Sequence, residues 1–229
     1  YNEIKLGYMA SLKRQRQTSR LRTRKKSRAA LAKRNRTLWF LGAAAALILC
    51  AAVIVHIGIS NKRSPKKYSS MVKNYKPLIE QYAEEAGIPE YVDYLMAIMQ
   101  VESGGRGKDV MQSSESLGLP RNTLDTEESI QQGCAYLAEC LESCQRQGCD
   151  TLTAVQAYNY GVDYVDFVAA RGGVETIEIA EEFAAARSNG ETVSYSNRIA
   201  REYNGGYRYK YGNMFYAELV NRIVQSEKK

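Results

Sequence analysis

The chain has 229 residues, and its content of 45% hydrophobic and 10% aromatic residues excludes a disordered protein and is typical of a globular one. The net charge of +7 hides two opposite parts: residues 1–67 carry 17 Lys and Arg against one acidic residue, whereas residues 68–229 carry 15 against 24. The basicity therefore belongs to the N-terminal part alone.

An apolar run at residues 38–59, LWFLGAAAALILCAAVIVHIGI, separates these parts and contains 22 residues with no side chain that must be charged. A helix of this length crosses a hydrocarbon core of about 30 Å, so we expect a transmembrane helix. Residues 13–36 hold twelve Lys and Arg, and the positive-inside rule then predicts a cytoplasmic N-terminus and an extracellular C-terminal domain. A cleaved signal peptide, with its cleavage site before Asn61, is the alternative, but the run exceeds the usual length of such segments.

The predicted organisation is a basic cytoplasmic tail at 1–37, the transmembrane helix at 38–59, a polar linker at 60–67 and a helical domain at 68–229. A basic segment beside a membrane span usually sets topology and contacts anionic lipid. Nucleic-acid binding by the tail is the less favoured alternative.

Helical periodicity predicts an all-α fold for the last of these parts, with a single helix over 69–86 that ends at Gly87. Pro89 is expected to start the next helix. Asp125 and Glu128 form a capping box for a helix that runs to about residue 147. Further helices are expected from Asp150 or Thr151 through LTAVQAY, and near 162–170, 175–186, 194–203 and 213–226.

Two stretches lack this periodicity. Residues 103–124 contain Gly, Ser and one Pro and predict a long irregular loop, which inside a compact domain is usually functional. Residues 207–212, YRYKYG, are expected to form at most a short extended piece, and no clear amphipathic strand is predicted.

Glu102 ends the apolar run of the second helix, in the stretch MAIMQVESGG. A helix that turns Leu95, Ile98 and Met99 inward carries the same face through position 102. The carboxylate therefore points where water is scarce, so that either a partner pairs with it or its pKa is raised.

Four short motifs occur in a meaningful order: VESGG at 101–105, VMQSSES at 110–116, QAYNYG at 156–161 and ETVSY at 191–195. In this order they resemble the motifs of lytic transglycosylases and goose-type lysozymes, which belong to the lysozyme superfamily. More narrowly, residues 68–226 resemble the lysozyme-like domain of the CwlT-type cell-wall hydrolases of Gram-positive conjugative elements.

The resemblance implies a glycosidase that cleaves the β-1,4 bond between N-acetylmuramic acid and N-acetylglucosamine in peptidoglycan, with Glu102 as the general acid. The bottom-up interpretation agrees, because a glycosidic oxygen leaves at neutral pH only if a still-protonated group donates to it. The residues that would contact substrate are Ser103, Met111, Gln112, Tyr158, Asn159 and Tyr195. Tyrosines 207, 209 and 211 are weaker candidates for sugar contacts.

A second carboxylate would serve as the base of an inverting hydrolase. Glu115 is the preferred candidate, ahead of Asp109 and Asp125. If no base exists, attack by the 6-hydroxyl of the substrate gives a 1,6-anhydro product, which is the lytic transglycosylase reaction. Asp109 and Val110 also replace a Gly-Leu pair that is frequent in the family, so the loop geometry there is open.

Four cysteines, 134, 140, 144 and 149, fall within sixteen residues of the domain expected to be exported. An oxidising exterior favours a disulfide of Cys149 with Cys144 or Cys140 over a zinc site. No metal or cofactor is predicted.

The resemblance also implies a role beside a conjugation or secretion apparatus, with a non-catalytic glycan-binding scaffold as the alternative function. CwlT-type proteins usually continue into a cysteine-peptidase domain, and no peptidase activity is predicted for residues 1–229.

Overall fold

The computed structural model describes residues 67–228, and these residues form a mostly helical domain. The predicted tail and transmembrane helix, and the linker up to residue 66, lie outside the described residues. Within 67–228, no helix has the length and apolar character needed to cross a membrane.

The domain contains short and medium-length helices and one small hairpin. Its elements are α1 (Ser70–Asn74), α2 (Lys76–Glu85), α3 (Val92–Glu102), α4 (Thr126–Gln147), α5 (Thr151–Tyr160), α6 (Asp163–Ala169), α7 (Ile177–Arg187), β1 (Thr192–Ser194), α8 (Arg198–Asn204), β2 (Tyr207–Tyr209) and α9 (Tyr216–Glu227). Short 3-10 turns at Pro89–Tyr91 and Ser114–Leu117 precede α3 and α4.

The predicted single helix over 69–86 is divided into α1 and α2 at Tyr75. Pro77 lacks the N–H that a continuous helix would need at this position, and the break places it in the first turn of α2, where no donor is required. In the same way Pro89 lies in the 3-10 turn, so the α-helix that carries Glu102 begins at Val92.

Helix α4 begins at the capping box expected from the sequence. The Asp125 carboxylate accepts from the Glu128 N–H at 3.0 Å, and the Glu128 carboxylate accepts from the Asp125 N–H at 3.0 Å. The helix then packs against α2 on one side and α5 on the other. It therefore lies between two apolar clusters of the core.

The first apolar cluster lies among helices α1 to α4 and α9, with Ile79, Leu95, Ile98, Leu137 and Val220 at its centre. The second lies mainly among α5 to α8 and contains a group of packed aromatic rings, Tyr160, Tyr164 and Phe183. Helix α5 contributes to both clusters, and α9 packs on α3 and α5. This packing fixes the end of α3, where Glu102 lies.

The hairpin contains the extended piece predicted at 207–212, but its partner strand was not predicted. β1 and β2 are antiparallel, with Val193 opposite Arg208. The helix expected over 194–203 begins only at Arg198, because the preceding residues pair with β2 and Asn197 caps the helix by accepting from the Ile199 N–H at 2.8 Å.

The predicted disulfide is not formed in this structure, where the four cysteines of residues 67–228 are free thiols. Cys140 and Cys144 are buried on the inner face of α4. Gly148 ends that helix in the left-handed conformation, and the Cys149 thiol then lies 3.8 Å from the Val165 carbonyl oxygen of α6. Burial raises the pKa of the Cys144 thiol to about 12.

Candidate active site

Glu102 is the last residue of α3 and is partly buried. Burial raises its pKa to about 7, although a hydrogen bond from Tyr216 and the charge of Arg121 act in the opposite direction. The Tyr216 hydroxyl lies 2.5 Å from Oε1 of Glu102. The carboxyl group therefore still holds its proton in a large fraction of molecules at neutral pH.

The loop after Glu102 is organised by the buried carboxylate of Asp109. Oδ1 accepts from the Ser129 hydroxyl at 2.6 Å and the Ser113 N–H at 2.9 Å, and Oδ2 accepts from the Ser114 hydroxyl at 2.6 Å and its N–H at 3.2 Å. Burial alone would raise the pKa of Asp109, but these hydrogen bonds outweigh it and the pKa is lowered. Asp109 thus ties the loop to Ser129 of α4.

Two predicted substrate contacts have other partners in this structure. The Ser103 hydroxyl donates to the Val110 carbonyl at 2.7 Å and accepts from the Gly105 N–H at 3.0 Å, so it closes the start of the loop. The Met111 side chain is fully buried and packs on Gly133 of α4, where an added Cβ would lie 2.9 Å from the Met111 Cβ. The prediction that the Met111 side chain lines the cleft is therefore wrong, because the glycine opens a niche for it inside the core.

Gln112 lies at the turn of the loop with a positive φ of 49°. Its side-chain amide donates to the Asp109 carbonyl at 2.8 Å and to Oδ1 of Asn122 at 2.9 Å. Gln112 thus joins two distant parts of the loop, around Asp109 and Asn122, and its side chain is half-buried.

Glu115 is exposed on the 3-10 turn Ser114–Leu117, and its carboxylate forms an ion pair with Arg121 at 2.6 Å. Its negative charge contributes to the raised pKa of Glu102, whereas Arg121 contributes in the opposite direction. Of the three carboxylates considered as a base, Asp125 is used in the capping box and Asp109 is enclosed by serines. Glu115 is the one of the three that is exposed and takes no part in a helix cap.

The QAYNYG motif lies at the end of α5 and holds the segment that leads into α9. Gln156 is fully buried, donates to the Asn213 carbonyl at 3.0 Å and accepts from the Ala217 N–H at 3.0 Å. Oδ1 of Asn159 accepts from the Asn213 N–H at 2.7 Å. The motif therefore fixes the segment that leads to Tyr216.

Tyr158, predicted to face the sugar, is buried, and its hydroxyl donates to the Met111 carbonyl at 3.0 Å. Its ring lies against Tyr136, with the ring centroids 5.4 Å apart. Tyr158 consequently supports the loop at Met111. Burial raises the pKa of the Tyr158 hydroxyl, and the charge of Glu102 also contributes.

Tyr195 lies farther along the same side, where its hydroxyl accepts from the Asn213 amide at 3.2 Å. Its ring stacks on Phe215 with an interplanar angle of 8°. The hydroxyl that contacts Glu102 is that of Tyr216. Tyr216 was not among the predicted site residues. The available signal was its position directly after the stretch NMF, at the start of an amphipathic helix.

The arrangement can donate a proton from a partly desolvated carboxyl to a bound molecule. Among the described residues, no cluster of His, Cys, Asp and Glu side chains has the geometry of a metal site. The charges of Glu115 and Arg121 both act on the pKa of Glu102, in opposite directions.

Comparisons with known proteins give matches over most of the described residues. The family model described as Lysozyme-like matches residues 69–224. A crystal structure from Staphylococcus aureus subsp. aureus Mu50, titled as similar to a lipoprotein of the NLP/P60 family, superposes with a TM-score of 0.68 and 50% identity, over 69% of this chain and 54% of that one.

Three related proteins also match part of this chain. The uncharacterized membrane protein YocA of Bacillus subtilis is 42% identical over 48% of this chain and 49% of its own length. The bifunctional muramidase/DL-endopeptidase CwlT of the same organism is 38% identical over 48% of this chain and 32% of its own length. Pneumococcal vaccine antigen A of Streptococcus pneumoniae is 35% identical over 59% of this chain and 66% of its own. The chain thus spans between a third and two thirds of these relatives.

Proposed function

Because the chain belongs to the lysozyme-like family, we propose that it is a peptidoglycan hydrolase that cleaves the β-1,4 bond between N-acetylmuramic acid and N-acetylglucosamine. The observation that carries the proposal is the carboxyl of Glu102, whose pKa of about 7 keeps a proton available at the end of α3. The muramidase named among the relatives supports the same reaction.

In the proposed mechanism, Glu102 donates its proton to the glycosidic oxygen as the bond breaks. Tyr216 holds the carboxyl in place and stabilises the anion that remains after proton transfer. Glu115, held by Arg121, activates the water that attacks the sugar from the other face. Gln112, Asn159 and Tyr195 are the proposed sugar contacts that remain partly accessible.

A second reaction remains a candidate because Glu115 is paired with Arg121 at 2.6 Å. The carboxylate oxygen that accepts from Arg121 is less available to accept a hydrogen bond from a water molecule. If Glu115 does not activate water, the 6-hydroxyl of the substrate attacks and the product carries a 1,6-anhydro end. The enzyme is then a lytic transglycosylase.

The proposal extends to location and partners. We place the domain outside the cell, held by the apolar run at 38–59 as a single-pass anchor with a cytoplasmic N-terminus. Peptidoglycan strands are the proposed partner, and local opening of the wall for a conjugation or secretion apparatus is the proposed setting.

The test uses the 229-residue chain in a non-ionic detergent on purified peptidoglycan. The unmodified chain should reduce the turbidity of the suspension, and Glu102→Gln should be slower by roughly a hundredfold or more, since it lacks the donor proton. Glu90→Gln changes an exposed glutamate elsewhere and should keep full activity. Equal clearing by the chain and by Glu102→Gln would reject the enzymatic proposal in favour of a glycan-binding scaffold.

Mass spectrometry of the released fragments separates the two reactions. Reducing muramic acid ends indicate hydrolysis, and 1,6-anhydro ends indicate transglycosylation. Hydrolysis with Glu115 as the base further requires that Glu115→Gln lose most of the activity, whereas a transglycosylase keeps it.

A further inference from the structure

Arg208 on β2 differs from the other arginines of the described residues, because it is the one that is not exposed. Six of the others form ion pairs with carboxylates, whereas Arg208 forms none within residues 67–228. A guanidinium that is partly removed from water without a counter-ion costs free energy unless another charge or hydrogen bonds compensate.

The guanidinium of Arg208 is held in a fixed orientation. Nη1 donates to the Tyr209 carbonyl at 3.1 Å and also to the Gly212 carbonyl. The carbon at its centre lies 5.7 Å from the centroid of the Tyr195 ring, within the range of a cation–π contact. Among the described residues, Nε and Nη2 of Arg208 make no hydrogen bond. These two donors form one edge of the guanidinium fork, and this free edge is preorganised for a planar anion.

This fork adjoins the candidate active site. Gly212, which accepts from Arg208, packs so closely on α5 that an added Cβ would lie 2.7 Å from Oδ1 of Asn159. Tyr195, which lies beneath the guanidinium, is hydrogen-bonded to Asn213, the residue that Asn159 and Gln156 hold. Tyr216, which contacts Glu102, lies four positions after Gly212 in the chain, and four extended residues span at most about 14 Å.

We infer that Arg208 binds an anionic substituent of the muramoyl unit, a carboxylate of its stem peptide, a few sugar units from the cleaved bond; the inference rests on the function proposed above. Carboxylates and phosphates both match the guanidinium fork. The stem peptide is favoured over the phosphate of an attached wall polymer, because muramic acid units along the whole strand carry peptide, whereas few of them carry the polymer. Arg208 therefore makes the protein prefer peptide-bearing strands over strands without peptide.

The experiment measures binding in the Glu102→Gln background, where the ligand is not consumed. Glu102→Gln is compared with Glu102→Gln/Arg208→Gln on three insoluble preparations: strands that carry peptide but no wall polymer, strands that carry wall polymer but no peptide, and strands stripped of both. Hydrogen bonds to charged groups are the stronger class, so Arg208→Gln should weaken binding to the peptide-bearing strands about tenfold or more. Binding to the stripped strands should stay the same.

Two further variants separate recognition from a structural role. Arg208→Lys keeps the charge but not the fork and should give an intermediate loss on peptide-bearing strands alone. Arg201→Gln removes a nearby exposed arginine that also lacks an ion pair and should change nothing. Thermal unfolding of each variant checks the fold.

Equal weakening on all three preparations would overturn the inference, because Arg208 would then serve only to hold the hairpin. A loss confined to the wall-polymer strands would overturn the assignment to a carboxylate. Failure of the Glu102→Gln protein to bind any preparation would overturn both this inference and the proposed function, whereas binding that ignores Arg208 would overturn this inference alone.

Discussion

The Tyr216 hydroxyl lies 2.5 Å from Oε1 of Glu102 and joins the first turn of α9 to the last turn of α3 across 114 residues of sequence. This hydrogen bond favours the ionised carboxylate, whereas burial favours the protonated acid. Burial has the larger effect, and the resulting pKa of about 7 lies near the working pH of a general acid.

The first prediction concerns this hydrogen bond. Tyr216→Phe removes the hydroxyl that stabilises the anion, so the pKa of Glu102 should rise above about 7 and the high-pH limb of activity should move to higher pH. The pH profile of the turbidity assay measures this shift. Tyr158→Phe is the matched control, because its hydroxyl donates to Met111 and not to Glu102; a shift to lower pH in Tyr216→Phe, or the same shift in both variants, would contradict the assignment.

The local signals of the sequence predicted their elements well, because the interactions that stabilise them lie within a few residues. The capping box of Asp125 and Glu128 and the Asp150 cap of α5 are examples. Glu102 was also accessible from the sequence, since helical periodicity alone places it on the apolar face of α3.

Contacts between distant segments could not be predicted in this way. Nothing near Tyr216 in the sequence indicates Glu102, because the contact depends on how α9 packs against α3 and α5. The burial of Met111 likewise depends on a glycine of α4 that opens space 22 residues later. The strand β1 was missed for the same reason, since its three residues are extended only because β2 pairs with them.

The second prediction tests the niche for Met111. Gly133→Ala would ordinarily stabilise a helix by about 1 kcal/mol, but here the added Cβ lies 2.9 Å from the Met111 Cβ. We therefore expect a net loss of about 1–3 kcal/mol in the free energy of unfolding, as for other overpacked cores. Chemical denaturation measures it, with Gln131→Ala on the exposed face of the same helix as the control. A more stable Gly133→Ala protein would show that the loop moves away freely.

The third prediction concerns Gln156, which satisfies the Asn213 carbonyl and the Ala217 N–H at the start of α9. Gln156→Leu leaves both groups without this partner and should lower the free energy of unfolding by about 2–4 kcal/mol. It should also displace Tyr216, so that the pKa of Glu102 rises as in Tyr216→Phe. Gln145→Leu, at an exposed position of α4, provides the control. A loss of stability without any change in the pH profile would separate Gln156 from the active site.

The last prediction concerns a buried carboxyl that the proposed reaction does not use. Glu175 accepts from the Tyr164 hydroxyl at 2.7 Å, and burial, together with the charge of Asp150, raises its pKa to about 8. Because this pKa exceeds the value near 4.5 of an exposed glutamate, the folded protein binds the proton more tightly than the unfolded chain. The resulting stabilisation is complete below pH 4.5 and is lost as the pH rises through about 8.

Glu175→Gln should remove this part of the pH dependence and leave a protein that is more stable above pH 8, by an amount on the order of 3 kcal/mol at most. Urea denaturation at pH 5, 7 and 9 measures the effect. Glu102→Gln should also reduce the pH dependence of stability, but around pH 7, because the pKa of Glu102 is lower than that of Glu175. Glu178→Gln, at an exposed position of α7, should leave the curve unchanged. If the stability of Glu175→Gln still falls between pH 7 and 9 as steeply as that of the unmodified chain, the carboxyl at 175 is already ionised in the folded protein, and the hydrogen bond from Tyr164 outweighs its burial.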